Sequence, residues 1–534
     1  MAINYSDHIQ SVIYLLYIGI TLVLIGLSYF QITEKSKPSL ILIALGGFSI
    51  SLFLCLSDPF LHMWDEQFHA VVAKNMLNNP FKPTLLQDPI LPYNYKNWTG
   101  NHIWLHKQPL FLWQIALSFK LFGISLISLR LPSIIMTTLM VFPVYRIGKI
   151  ISGKQTGIFA AVLLTGSNFI YQLSSGRIAT DHNDVAFLFY VTLSIWAWFE
   201  KENSGKRYWN ILIGLFSGAA ILNKWLVGLL VYSAWGLRIL LYKENRTRLK
   251  SFAGLFLSLT VTTIVALPWQ LYVLYRFPRE SLYEFKLNTL HFTETIEGHS
   301  GGFMYHFNNI EKLYGTDFQY VIIVSFFVFL VSRIKAKFKF VMIVWIIIVY
   351  VFYSFAATKL SGFTIIVAPL VYIMVAQSIS QITHWLGMIR LSPKSKKITI
   401  KSFGIALVFF IFIHFINHDN LSLKNNDQLR KDYQFELNST WVYKELLSKF
   451  EGQEIMVYNT PIFDKFKIIF MSDKRADIQL PSKNNIEVLK SKNIKIVVFD
   501  NEKLPDHILN DSSIAKVKSM VWQQDYKGKL EVYY

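Results

Sequence analysis

Apolar runs long enough to cross a bilayer recur through the first 418 of the 534 residues, and the charges between them sort into two kinds of loop. In a hydrocarbon layer about 30 Å thick, a backbone without water must satisfy itself, so each run is expected to be a helix at about 1.5 Å per residue. Runs at 11–30, 39–57, 129–148, 157–173, 184–200, 208–223, 225–241, 251–271, 319–333, 339–357, 362–382 and 402–418 give about twelve spans. The stretches 34–37, 146–154, 200–207, 243–250, 333–339 and 390–401 all fall on one side, and each carries Lys or Arg. Basic short loops mark the cytoplasm, so 58–128, 174–183, the Asn223-Lys224 tip, 272–318, 358–362 and all that follows 419 are expected outside.

Composition agrees: 53% hydrophobic and 16% charged residues describe a polytopic membrane protein, not a soluble multidomain one. The net charge of +19 is explained by loops that abut anionic headgroups, and nucleic acid is not an expected partner. The single cysteine, Cys55, lies in an apolar run, which excludes an intrachain disulfide and a thiolate metal site. The first apolar run lacks a basic flank before it and a small-residue cleavage site after it, so it is expected to be a retained span in a bacterial inner (plasma) membrane.

Two helices are expected in the outer loop 58–128. One follows Asp65, with Phe68, Val71, Val72 and Met76 on one face, and should lie along the interface; the other starts at Pro109 and stops at Gly123. After 418 the pattern changes. Strand-like runs at 454–458 and 492–499 flank a helical candidate at 486–491, which predicts a small extracytoplasmic α/β domain over 419–534 beside a transmembrane domain over 1–418.

The outward loops hold the residues suited to chemistry. Asp65 and Glu66 are adjacent carboxylates at a helix start, suited to general-base work on an acceptor hydroxyl or, alternatively, to capping that helix. His106 and Lys107 precede the Pro109 helix, where an ammonium and free N–H groups attract a phosphate oxygen, though both also suit anchoring among headgroups. Arg177 and Asp181 are spaced for a local pair. Lys224 and Lys359 sit where spans near the outer face, and with Arg177 they would make a cationic pocket for phosphate. Glu297 and His299, in EGHSGG, belong to a glycine-rich segment that reads as a lid or as a solvated loop. A divalent metal between His106 and His299 is weakly suggested. No cytoplasmic loop carries a dinucleotide or Walker A fingerprint, so an activated donor should arrive already carried by the membrane.

The ordered series DE at 65–66, HKQPL at 106–110 followed by FLWQIALSFKLFG, RLPS at 130–133, GRIATD at 176–181, NKWLVGLL at 223–230, LPWQLYVL at 267–274, EGHSGG at 297–302 and ATKL at 357–360 resembles GT-C glycosyltransferases. The nearest resemblance is to the protein O-mannosyltransferases (dolichyl-phosphate-mannose-protein mannosyltransferases) and the lipid A aminoarabinose transferases, and it runs through 58–375. It implies an all-α GT-C membrane fold, a polyprenyl-phosphate sugar donor, an extracytoplasmic glycolipid, polymer or protein acceptor, and transfer with inversion. It also implies Asp65 as the base with Glu66 in support, and Lys107, Arg177, Lys224 and Lys359 at the donor phosphate. No cofactor is required by it. The chain departs from the pattern by an extra span before the DE loop and by His106 where aminoarabinose-type relatives have a carboxylate. A secondary transporter or flippase is the competing class, but the polar residues cluster on one face and no inverted repeat is evident; a mere anchor for an outer domain would need one span only.

Overall fold

Each apolar run coincides with helix in the computed structural model, which describes residues 4–87, 89–386, 393–416, 421–423, 426–461, 463–501, 504–518 and 530–534. Among the described residues, seven helical stretches are long and apolar enough to cross a membrane. An eighth counts if Lys154–Thr165 and Asn168–Ser174, bent by 55°, form one broken span. The chain is therefore a multi-pass membrane protein, while the expectation of about twelve spans is coarser than it looked. The runs at 208–223 and 225–241 join through the 3-10 turn Trp225–Leu229 into one stretch, Tyr208–Leu241, and Phe318–Val331 has only 14 residues. The end of the 402–418 run and the boundary at 419 lie outside the described residues.

Two arginines with buried side chains tie helix ends together. Arg130, fully buried in Leu126–Leu139, grips Glu66 through Nε (2.7 Å) and Nη2 (2.9 Å) and donates to the carbonyls of Cys55, Asp58 and Phe60. Arg177 grips Asp58 through Nε (2.6 Å) and Nη2 (3.0 Å), and Asp58 also accepts from Tyr5 Oη at 2.6 Å. A planar guanidinium matches a carboxylate in two bonds at once, which is what a charge buried away from water requires.

The helix Asp65–Asn75 departs from its interfacial reading. All of its residues except Lys74 are buried, because the helix Lys465–Met471 of the C-terminal region packs against it and Arg130 takes up Glu66. Phe466 packs on Phe68 at 4.4 Å, and Lys74 Nζ donates to the carbonyls of Ile469, Phe470 and Ser472. The second of the two helices expected in 58–128, Leu110–Phe122, begins after Pro109 and stops at Gly123, whose φ of 80° suits glycine.

The C-terminal residues form one five-stranded sheet, β1 (Ile455–Tyr458), β2 (Arg475–Ala476), β3 (Lys495–Phe499), β4 (Ala515–Lys518) and β5 (Glu531–Tyr533), in the order β2-β1-β3-β4-β5. The first four are parallel and β5 is antiparallel. β1 and β3 are the two expected strands, and Lys483–Ser491 is the expected helix between them. Fully buried runs such as Ile455–Tyr458 are what a parallel sheet covered on both faces demands.

Candidate active site

Asp65 is the first residue of its helix, yet no side chain caps that helix. Its Oδ2 instead accepts from the Thr180 backbone N–H at 3.0 Å and lies 3.2 Å from Lys107 Nζ. Burial works against an ionised Asp65, but Lys107, His69 and His106 overcome it and hold the carboxyl well below the usual carboxylate range. Burial works against the Lys107 ammonium too, and Asp65 more than compensates, so its pKa is raised.

Asp65 and Lys107 line a cavity of about 490 Å³, together with Lys224, His106, Glu297 and His299. Most of its lining residues belong to the loops the charge pattern assigned to one face, and the others, Trp225, Val227, Phe352, Tyr353, Ala356 and Phe363, lie at the ends of the apolar runs that adjoin those loops. Lys224 Nζ meets Asp184 Oδ1 at 2.5 Å and lies 4.7 Å from the centre of the Phe363 ring. Trp98 stacks on His106 at 4.4 Å and donates from Nε1 to Glu297 Oε1 at 2.8 Å, while His106 Nδ1 lies 3.3 Å from Glu284 Oε2. Among the described residues, four of the ten non-glycine positions with left-handed φ line this one cavity: Trp64 (73°), Thr180 (72°), Trp225 (55°) and Glu297 (56°). Such backbones cost on the order of 1–3 kcal/mol each and persist where a site over-determines them.

The remaining sequence candidates stand behind or beside the cavity. Glu66 is fully buried, held by Arg130 and by the His62 N–H at 2.7 Å. Gly176 crosses it so closely that a Cβ there would lie 2.4 Å from the Glu66 carboxyl. Arg177 does not pair with Asp181; it is spent on Asp58 and on the Leu421 carbonyl at 2.9 Å. Asp181 is buried and meets His69 Nδ1 at 2.8 Å. Lys359 is buried, and its ammonium caps the helix Ala336–Phe355 by donating to the carbonyls of Tyr353 (2.9 Å) and Ser354 (2.6 Å). Its backbone N–H holds the His299 carbonyl at 2.9 Å, and Thr358 Oγ1 takes the Ile296 N–H, so the first half of the expected lid is tied down. Asp184 was missed, although it stands one turn beyond Asp181 in TDHND, as were Trp98 and His291. Among the described residues no three His, Cys, Asp or Glu side chains are grouped to hold a metal ion.

Comparison with known proteins carries the same pattern. The family described as dolichyl-phosphate-mannose-protein mannosyltransferase matches residues 106–272. A protein of Aquifex aeolicus (strain VF5) described as uncharacterized is 28% identical over 175 residues, 33% of this chain and 32% of that one. The undecaprenyl phosphate-alpha-4-amino-4-deoxy-L-arabinose arabinosyl transferase of Pseudomonas aeruginosa (strain UCBPP-PA14) is 27% identical over 254 residues, 45% of this chain and 41% of the relative. The chain thus spans between 32% and 41% of the length of these curated relatives. In fold it is similar to the crystal structure of ArnT from Cupriavidus metallidurans bound to undecaprenyl phosphate, with a TM-score of 0.62 at 15% identity, covering 90% of this chain and 92% of that one. The resemblance to GT-C glycosyltransferases holds in sequence and in fold.

Proposed function

We propose that the chain is a glycosyltransferase that moves a sugar from a polyprenyl-phosphate donor to an acceptor hydroxyl or phosphate on an extracytoplasmic glycolipid, polymer or protein, with inversion. The observation that carries the reading is a buried carboxylate facing a lysine, Asp65 and Lys107, in a cavity that a second lysine, Lys224, also lines. The names of its relatives, one of them solved with undecaprenyl phosphate, support the donor class. In this reading 1–418 is the catalytic membrane domain, 419–534 is an outer α/β domain, and the cavity opens on the outer side of the inner membrane, where the charge pattern of the loops assigns its segments.

The chemistry is a single displacement. The acceptor oxygen attacks the anomeric carbon as its proton passes to Asp65, and the bond from that carbon to the phosphate oxygen breaks. Lys107 and Lys224 neutralise the charge that develops on the leaving phosphate. Binding of the donor draws Lys107 from Asp65 toward the phosphate, and with that counter-charge gone burial raises the carboxylate's basicity at the moment it is needed. Glu66 fixes the helix start from behind; Arg177 and Lys359 act at one remove by holding the loops that wall the cavity. No step in this reading passes through a metal.

A transporter would need ionisable residues along a path through both halves, whereas those of the cavity come from one set of loops. The test is transfer from purified polyprenyl-phosphate sugars to a membrane extract of the host, with Asp65→Asn as the comparison. Transfer by the wild type that disappears in the variant supports the reading, and an equally active variant removes Asp65 from the chemistry.

A further inference from the structure

A second cavity of about 320 Å³ lies between the outer loop and the α/β domain and shares no lining residue with the first. Its volume falls at the lower end of the range for small-ligand sites, about 300–1,000 Å³. Its floor holds Lys465, only 8% exposed. Among the described residues that ammonium has no hydrogen bond or ion pair, only the Phe466 ring with its centre 5.1 Å away. Burial of the side chain pushes Lys465 below its ordinary pKa, with Asp477 opposing the shift. Arg475 lines the same cavity and leaves its buried Nε–H without an acceptor.

Two carboxylates, Asp473 and Asp477, also line the cavity, where four cations, Lys74, Lys465, Lys474 and Arg475, outnumber them. Asp473 pairs with Lys74 at 3.3 Å, and Asp477 Oδ1 accepts from the Ile478 N–H at 2.7 Å. Glu454 pairs with Lys474 (3.4 Å) and with Arg475 Nη1 (3.1 Å). The opposite wall is Tyr93, Asn94, Asn97 and Thr99, whose groups suit hydroxyls. Asn94 and Asn97 spend their carbonyl oxygens on the turn itself, through the Lys96 and Thr99 N–H groups, so their amide N–H groups are not needed to hold the turn. The wall also joins the two cavities. Asn97 and Thr99 line this one, while Trp98 between them lines the one that holds Asp65.

We propose that this cavity is a subsite for an acidic saccharide unit of the acceptor, a sugar bearing a phosphate or carboxylate. Lys465 and Arg475 meet the anion, and Tyr93, Asn94 and Asn97 meet the sugar hydroxyls. The segment Asn97–Thr99 stands between a unit held there and the donor cavity, and the acceptor oxygen would reach Asp65 past Trp98. The subsite rests on the glycosyl-transfer reading for its role but not for its binding, and the experiment measures binding alone.

Full-length protein in detergent is titrated with glucose 1-phosphate, galacturonate, glucose and inorganic phosphate by ligand-observed NMR. Both acidic sugars should bind, glucose should not, and inorganic phosphate should bind more weakly than glucose 1-phosphate. Lys465→Met should weaken the acidic sugars about tenfold, the scale of one charge-assisted bond. Arg475→Gln and Asn97→Ala should weaken them by less, and they serve if Lys465→Met lowers the melting temperature. Glucose binding as tightly as glucose 1-phosphate, inorganic phosphate binding as tightly, or binding unchanged in Lys465→Met and Arg475→Gln would each overturn the subsite. If the acidic sugars bind as expected while the wild type shows no transfer from any donor, the subsite stands and the transferase reading falls.

Discussion

The molecule carries two kinds of ion pair a few residues apart, and they differ in every property that separates a clamp from a tool. Arg130–Glu66 and Arg177–Asp58 are bidentate, with side chains 0–3% exposed and further donors given to backbone carbonyls and, from Arg177, to the Tyr5 hydroxyl. Lys107–Asp65 and Lys224–Asp184 are single contacts of a point-like ammonium, with the lysines 16% and 20% exposed toward a cavity. A guanidinium stays charged and holds a fixed fork, whereas a lysine on a flexible stem can exchange one partner for another at small cost. The guanidiniums fix where the loops are, and the ammoniums are the cations that the proposed function assigns to an incoming phosphate. Adjacent residues, Asp65 and Glu66, are divided between the two duties.

The largest effect should come from breaking a clamp. Arg130→Met leaves Glu66 buried without its cation, which costs about 3–5 kcal/mol. Thermal unfolding in detergent should show a large loss that Arg130→Met with Glu66→Leu partly restores. A variant that melts like the wild type would erase the distinction between the two kinds of pair. Next is the tool itself: Asp65→Asn should lower transfer by about 10²–10⁴-fold, the range for a positioned general base, with the melting temperature little changed. Should Asp65→Asn instead unfold as Arg130→Met does, Asp65 is a clamp as well.

The sequence made the helical membrane fold, the two parallel strands β1 and β3 and the segments that wall the cavity legible, because period, run length and loop charge are local signals. What it hid depends on distance along the chain. Arg177 read as a neighbour of Asp181 because only local spacing is visible, while its partner Asp58 lies 119 residues away. RLPS was part of the recognised series, yet nothing local showed that Arg130 would be spent on Glu66, 64 residues off. The Asp65–Asn75 helix looked amphipathic and became buried because its cover comes from Lys465–Met471, nearly four hundred residues later. Lys359 read as a cavity cation because it ends a span, and it became a cap because unsatisfied carbonyls at a helix end compete for the same ammonium.

The comparison sharpens when the pH response of the tool is measured. With Lys107 in place, the Asp65 carboxyl sits below the ordinary carboxylate range and stays ionised throughout the working range. Lys107→Met removes the largest favourable charge and leaves burial, which acts upward, so protonation sets in at higher pH. Only the ionised form accepts a proton, so the acid limb of kcat/KM should move upward by about one unit or more, equivalent to about 1.4 kcal/mol. A limb that stays in place would mean that the titrating group is not Asp65.

The smallest effect should come from exchanging the cations while keeping their charge. Arg177→Lys gives up one of two bonds to Asp58 and the bond to the Leu421 carbonyl, inside a site too closed for water to substitute; a loss of about 1–2 kcal/mol in unfolding is expected. Lys224→Arg keeps a cation near Asp184 in a cavity with room for the larger head, so stability should change by less than about 0.5 kcal/mol, as for a substitution that breaks no buried network. Its mark should fall on KM for the donor instead, because a forked guanidinium grips Asp184 with two bonds and yields it less readily to a phosphate. Donor KM raised with kcat and melting temperature nearly unchanged would place Lys224 with the mobile cations. A melting temperature that moves as it does for Arg177→Lys would make Lys224–Asp184 a third clamp and leave Lys107 as the one lysine of the pair free to follow the phosphate.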